Sequence, residues 1–305
     1  MFIKTREESK ELKILKNLNV RMDLSPKEKL YYANLEKGYE GEKQFDELLV
    51  QLPNTCLIMN DLLFEKNNSE FQIDSLLFSQ NKFHLFEVKN FFGDFYMDGD
   101  KWFSSSGTEI NNPLFQLKRC ETLFRHLLKD FGLHYPIEPY LVFINPEFTL
   151  YKAPLNQSII FPTQLKRLMT DLNASSSHIT EKQLKVAESL TPKHLSESAH
   201  SRIPHYDYHH LKKGITCAQC NSFMTNFSNE RTLGCMKCGW MESVDSAVLR
   251  SIEQFILLFP ERHITTNSIH NWCKVIESKK TIRRILKANF KLVGSSHRSS
   301  YIKSE

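Results

Sequence analysis

The chain has 305 residues, 41% of them hydrophobic and 25% charged, with a formal net charge of +5. That length suggests about two domains, and the composition is that of an ordinary globular protein. The longest apolar run, residues 255–259, is far short of the ~20 residues a membrane helix needs, and the charged first sixteen residues have no signal-peptide h-region.

A cytoplasmic location is therefore expected, and seven cysteines in such a chain argue against a disulfide framework. The charge is unevenly spread. Residues 1–211 carry 25 Lys and Arg against 28 Asp and Glu, whereas residues 212–305 carry 15 against 7. A near-neutral body joined to a basic tail suggests a polyanion partner for the tail, although a charge run also serves as a solvated face.

Residues 1–37 are charged, with Leu12, Ile14, Leu15 and Leu18 at helical spacing and a Ser25-Pro26 restart, which predicts an N-terminal helical arm. Residues 38–150 alternate helical and strand patterns, as an α/β domain does. Its first element, Gly38-Tyr39-Glu40-Gly41-Glu42, opens a helix with Phe45, Leu48, Leu49 and Leu52 on one side. Glu42 falls on that stripe. Either it is aimed at a buried partner, since an unpaired buried carboxylate is costly, or it is a first-turn acid favouring the helix dipole.

Residues 71–78 and 82–89 read as consecutive strands separated by a polar Ser-Gln-Asn turn. With Gln80 and Asn81 at the centre of a two-residue loop, pairing positions sum to 161. Asp74 then lies opposite Glu87, and Gln72 opposite Lys89. Opposite residues share a face, as do Glu87 and Lys89 by the period of two. Two carboxylates and an amine thus converge on an apolar hairpin. Like charges facing each other destabilise a sheet, and a divalent cation resolves the repulsion because hard cations take carboxylate oxygens. The Glu-x-Lys tripeptide alone carries little, since it also occurs at Glu8/Lys10, Glu11/Lys13 and Glu277/Lys279 in polar contexts.

Asn112-Pro113 predicts a helix start, with Asn as N-cap and Pro at the first position. Gln116 follows in the first turn, placed either to touch a substrate phosphate or water or to sit on an exposed turn. Residues 151–211 predict a helical linker region, with short helices near 163–172 and 180–190.

In residues 212–242, Cys217-Ala-Gln-Cys220 and Cys235-Met-Lys-Cys238 are fourteen residues apart. Four thiolates on two tight turns match a closed, tetrahedral structural Zn²⁺ site, and tandem pairs disfavour a redox role. The pattern resembles a zinc ribbon. Residues 243–305 predict helices over 245–258, 267–275 and 279–289, then a hairpin of 290–293 and 300–303. Three helices and a hairpin resemble a winged helix-turn-helix. Lys280, Arg283, Arg284 and Lys287 on the third helix, with Arg298 in the wing, would contact nucleic-acid phosphates. A solvated basic face is the plainer alternative.

Taken together, Gly-x-x-Gly-Glu at 38–42, Gln-Ile-Asp at 72–74, Glu-Val-Lys at 87–89, Trp102 and Asn-Pro-x-x-Gln at 112–116 resemble the nuclease-related domain family, NERD, of the PD-(D/E)xK restriction-endonuclease-like superfamily. The preceding arm is similar to that of Bacillus-type bacterial members. The resemblance implies a mixed sheet flanked by helices, Mg²⁺ or Mn²⁺ held by Asp74 and Glu87, Lys89 beside the attacking water, and accessory roles for Glu42 and Gln116. It departs from the superfamily in having Ile73 where Pro often precedes the first acid. The expected activity is metal-dependent hydrolysis of DNA phosphodiester bonds. The alternative is a non-catalytic nucleic-acid-binding protein that uses the acidic pocket only structurally.

Overall fold

The computed structural model describes residues 1–52, 55–155, 158–174, 178–224, 226–229, 231–294 and 299–303. In chain order the elements are β1 (Phe2–Lys4), α1 (Lys10–Arg21), α2 (Pro26–Leu49), β2 (Leu57–Lys66), β3 (Ser69–Ser79) and β4 (Lys82–Lys89). Next come β5 (Gly93–Asp98), β6 (Lys101–Ser104), β7 (Glu109–Ile110), α3 (Pro113–Asp130), β8 (Ile137–Phe143), β9 (Phe148–Tyr151), β10 (Ile159–Ile160), α4 (Leu165–Ala174) and α5 (Glu181–Leu190). The last are β11 (Asn226–Asn229), β12 (Thr232–Gly234), β13 (Met241–Ser243), α6 (Val244–Leu258), α7 (Thr266–Cys273), α8 (Lys279–Asn289), β14 (Phe290–Val293) and β15 (Ser300–Lys303). They form two units, one of Met1–Ser9 with Ala33–Ser201, the other of Lys10–Tyr32 with Arg202–Glu305.

The first unit is built on a six-stranded mixed sheet in the order β1-β2-β3-β4-β8-β10. Strands β2, β3 and β4 run antiparallel, while β8 joins β4 in parallel. Apolar side chains cover both faces. Phe45 and Leu49 of α2 and Leu168 and Leu172 of α4 pack on Leu77, Phe86 and Val88. On the other face Leu117, Phe124 and Leu128 of α3 and Val186 and Leu190 of α5 pack on Leu76, Phe83 and Leu85. The expected mixed sheet flanked by helices is therefore present. A small sheet in the order β7-β6-β5-β9 lies beside it, with Trp102 fully buried and stacked on Phe143.

The hairpin of β3 and β4 turns as its sequence dictates. Gln80 and Asn81 both take positive φ (48° and 59°), the backbone of a two-residue type I′ loop. Pairing runs from Ser79↔Lys82 to Ser75↔Phe86, each pair summing to 161. There the ladder ends. Asp74 and Glu87 each follow the last pair, and the expected pairs Asp74–Glu87 and Gln72–Lys89 are not formed in the ladder. On their other edges Gln72 pairs with Leu63 of β2 and Lys89 with Phe143 of β8. At the same level Asp61 of β2 takes φ 53°, and β3 changes faces beside it. Phe71 and Ile73 share a face with Leu76 and Phe78, which strict alternation forbids.

His84 on β4 gives the fold a pH dependence. It is 5% exposed, stacked near Phe86 and Tyr140, with Nδ1 3.4 Å from Glu138 Oε2. Burial pulls its pKa down to about 4, with Glu138 acting in the opposite direction. The unfolded chain therefore binds the extra proton first. His84 contributes fully above pH ~6.5, and about 3 kcal/mol is lost as pH falls from there toward 4. Replacing His84 with leucine should flatten this limb in urea unfolding at stepped pH; an unchanged limb would refute the assignment.

The second unit places α1, the cysteine-bearing segment and α6, α7 and α8 around one core, including Ile14, Leu18, Cys217, Cys235, Ile252, Trp272 and Ile285. Residues 1–37, expected as one arm, thus supply β1 to the sheet of the first unit and α1 to the core of the second. Arg21 is fully buried there. It lies 4.1 Å from the Trp272 ring and donates to the Lys212 and Gly214 carbonyls and to Gln254 Oε1. Helices α6, α7 and α8 and the hairpin of β14 and β15 follow the boundaries predicted from sequence to within two residues. No described helix is long and apolar enough to cross a membrane.

Candidate functional site

The first site assembles where α2, β3, β4 and α3 meet. Gly41 makes the approach of α2 possible: a Cβ there would lie 2.5 Å from Asn90 Cβ, just past the end of β4. Asn90 fastens the contact, donating to the Lys37 carbonyl at 2.9 Å and accepting from Asn145. Gly38, the other glycine of the motif, has open space beside it. Asn112 caps α3 by accepting from Leu114 N at 2.9 Å, with Pro113 at the first position. This sets Gln116 in the opening turn.

Glu87 is 2% exposed, and Lys89 Nζ donates to its Oε1 at 2.6 Å and to Gln116 Oε1 at 3.1 Å. Asp74, 7% exposed, accepts the Val88 amide at Oδ2 over 2.7 Å. Burial first and Asp74 second push the Glu87 pKa up to about 7, against Lys89. Burial likewise raises the Asp74 carboxyl. For Lys89, burial opposes the charge, but Glu87 and Asp74 outweigh it and hold the ammonium pKa above its ordinary value. Lys89 is therefore a proton-bearing cation here and is poorly suited to act as a general base.

Glu42 belongs to the same electrostatic group. Burial and then Asp74 raise its pKa well above the usual carboxylate range. Its partner is Arg6, which sequence reading missed. Arg6 follows β1 with a side chain only 3% exposed. It donates to Glu42 Oε2 at 2.5 Å, to both Asp46 oxygens at 2.9 and 3.1 Å, to the Asp74 carbonyl at 2.6 Å and to Ser75 Oγ at 3.1 Å. Two cations thus divide the acids: Arg6 takes Glu42 and Asp46, and Lys89 takes Glu87. Removing Arg6 leaves two carboxylates without their cation. Arg6→Met should cost about 3–5 kcal/mol, read as a lower urea midpoint at pH 7; a midpoint shift near zero would mean the acids are neutralised otherwise.

The second site is the cysteine cluster. The sulfurs of Cys217, Cys220, Cys235 and Cys238 all lie within 4.8 Å of one another, with Cys217–Cys238 and Cys220–Cys235 each at 3.6 Å. A tetrahedron of thiolates at the 2.3 Å Zn–S distance has edges of about 3.8 Å. The turns are tight, with the Gln219 amide donating to Cys217 Sγ and the Gly239 amide to the Cys235 carbonyl. The four residues can hold a metal ion.

Four of the predicted basic contacts share one stripe of α8. Lys280, Arg283 and Lys287 are exposed on α8. Arg284 makes two bonds to Asp245 at 2.5 and 2.8 Å, so its charge is partly engaged. Arg298 lies outside the described residues.

Residues 37–144 match the profile of the nuclease-related domain family, NERD. No curated protein matches the chain. Among solved structures it is similar to Can2 from Sulfobacillus thermosulfidooxidans, determined in complex with cyclic tetra-adenylate, at 13% identity and a TM-score of 0.30, covering 54% of this chain and 51% of that one. It is also similar to protein VC1899 from Vibrio cholerae, at 16% identity and a TM-score of 0.24, covering 50% and 36%. The chain thus spans about half or less of the length of these structures.

Proposed function

We propose that this chain, whose residues 37–144 form a nuclease-related domain, is a metal-dependent nuclease that hydrolyses phosphodiester bonds of DNA. The observation that carries this reading is the grouping of Asp74 and Glu87, two buried carboxylates whose pKa values burial has raised, around a protonated Lys89 that donates to Glu87. Such an oxygen donor set fits a hard divalent cation, Mg²⁺ or Mn²⁺. Bound there, the cation would polarise the phosphate and lower the pKa of water. Lys89, protonated, would stabilise charge building on the phosphoryl oxygens. Gln116, already joined to Lys89, would hold the ammonium in place or orient the attacking water. Glu42 would act from the Arg6 side of the cluster as an accessory acid.

The cysteine cluster would hold Zn²⁺ as a structural ion, with four protein ligands and no open position. Helices α6, α7 and α8 with the terminal hairpin would serve as a winged helix, using Lys280, Arg283, Lys287, Arg298 and, when released from Asp245, Arg284 on phosphates. A cytoplasmic location accords with this role. The competing reading is binding without hydrolysis, favoured by one observation: Arg6 and Lys89 already supply cations to the acids. Incubation with single-stranded, duplex, nicked and branched DNA, with Mg²⁺, Mn²⁺ or chelator, separates the two. Cation-dependent cleavage is expected. Intact substrates in every lane would sink the nuclease reading.

A further inference from the structure

Two large aromatic rings close in sequence to Lys89 and Gln116 face solvent. Phe92 is 59% exposed and Phe115 is 63% exposed, although burial of a phenylalanine is normally a main source of stability. Phe92 stands in the loop after β4, three residues beyond Lys89, and Lys37 Nζ lies 5.7 Å from its ring centroid. Phe115 stands in the first turn of α3, next to Gln116, whose Oε1 accepts from Lys89. It lines a surface cavity of about 310 Å³ with Ser69, Lys118, Arg119, Thr122 and Leu123. Glu121 engages Lys118 at 2.9 Å, whereas Arg119 donates to a backbone carbonyl, that of Glu70. Each exposed ring therefore has a cation nearby, and each is tied by sequence to a residue that touches Lys89 or follows it.

Arg6 and Lys89 are already engaged by the acids of the cluster, so much of the affinity for a polyanion has to come from the flanks. Stacked bases inside a duplex cannot reach an exposed phenyl face, whereas the bases of an unpaired strand can, and each stacks favourably on an aromatic ring. We propose that the first unit takes single-stranded nucleic acid, with bases on either side of the cleaved phosphate stacked on Phe92 and Phe115, and with Lys37 and Arg119 near the backbone. This deepens the nuclease reading and rests on it for the cut, although not for the binding. DNA and RNA offer the same stacking chemistry.

The test uses the full chain in chelator, so that nothing is cut, at raised salt to weaken purely electrostatic binding by the basic tail. Irradiating single strands that carry 5-iodouracil should place adducts on peptides containing Phe92 and Phe115. In anisotropy titrations with labelled oligothymidylate and oligouridylate, Phe92→Ala and Phe115→Ala should each weaken binding about 5- to 150-fold. The favoured sugar identifies the strand. Duplex affinity should hardly change. Adducts confined to residues 202–305, or variants that bind single strands like the parent, would overturn the proposal. With divalent cation restored, stacking-dependent binding without any cleavage would leave this inference standing and remove the nuclease reading. Cleavage indifferent to both substitutions would do the reverse.

Discussion

Asp74→Asn is expected to abolish cation-dependent cleavage, lowering the rate about 10³-fold or more, because a lost carboxylate ligand removes several kcal/mol of transition-state stabilisation. The substitution is nearly isosteric, and an amide oxygen can still accept the Val88 N–H that Oδ2 accepts at 2.7 Å. The fold should therefore survive. Without divalent cation the variant should even be more stable than the parent, since burial opposes charge on Asp74 and Asp74 opposes charge on Glu87. A gain in stability with a loss of function is what an acidic metal site predicts. A second readout separates this from simple damage. With Asp74 neutral, Glu87 loses its main repulsive neighbour, and its pKa should move down from about 7 toward the ordinary carboxylate range. Titrating the Glu87 carboxyl by carbon-13 NMR in parent and variant measures that shift. Undiminished cleavage in Asp74→Asn, or an unmoved Glu87 titration, would show that the two acids do not work together.

The parts of this site that could be read from sequence are those with local causes. The Gln80-Asn81 turn set the register of its hairpin, and Asn112-Pro113 set the start of α3, because cap and loop preferences act over a few residues. In the second unit, amphipathic spacing placed α6, α7 and α8 for the same reason. The end of the β3–β4 ladder was not legible, since it coincides with a change of face in β3 beside a left-handed Asp61 on a third strand. Arg6 was hidden for a related reason. Its partners Glu42, Asp46 and Ser75 lie far along the chain, and β1 is three residues long, too short to show alternation. The one available signal was an arginine three residues after Ile3 in a segment otherwise read as a helical arm. Gly41 stands between these cases: the motif flagged it, but only Asn90 at 2.5 Å explains why a side chain is excluded.

Removing metal from the cysteine cluster should produce the largest loss of structure. Purified protein is expected to carry one Zn²⁺ per chain, and Co²⁺ substituted for it should give the intense charge-transfer and ligand-field bands of a tetrahedral tetrathiolate. Such an ion would belong to the core as well as to the cluster. Cys217 and Cys235 sit in the same hydrophobic group as Val248, Ile252, Phe255 and Trp272, and so do Met224 and Leu233 between the cysteine pairs. Zinc-finger peptides gain about 10–16 kcal/mol from such a site. Here α1, α6, α7 and α8 have apolar contacts of their own, so the loss should be smaller, yet larger than the ~5–15 kcal/mol typical of a whole domain can absorb without a marked fall in melting temperature. Strong chelator, or Cys235→Ser, should therefore lower the melting temperature of the second unit and shift the tryptophan emission. Trp240, two residues after Cys238, and the buried Trp272, which donates to the Ser251 carbonyl at 3.0 Å, both contribute to it. The sheet of the first unit shares none of these core residues, so its urea transition should persist. A metal-free chain that melts at the same temperature with the same tryptophan emission would rule out a structural ion. Loss of cation-dependent cleavage in that chain on short single strands would instead show that the first unit needs the second for catalysis.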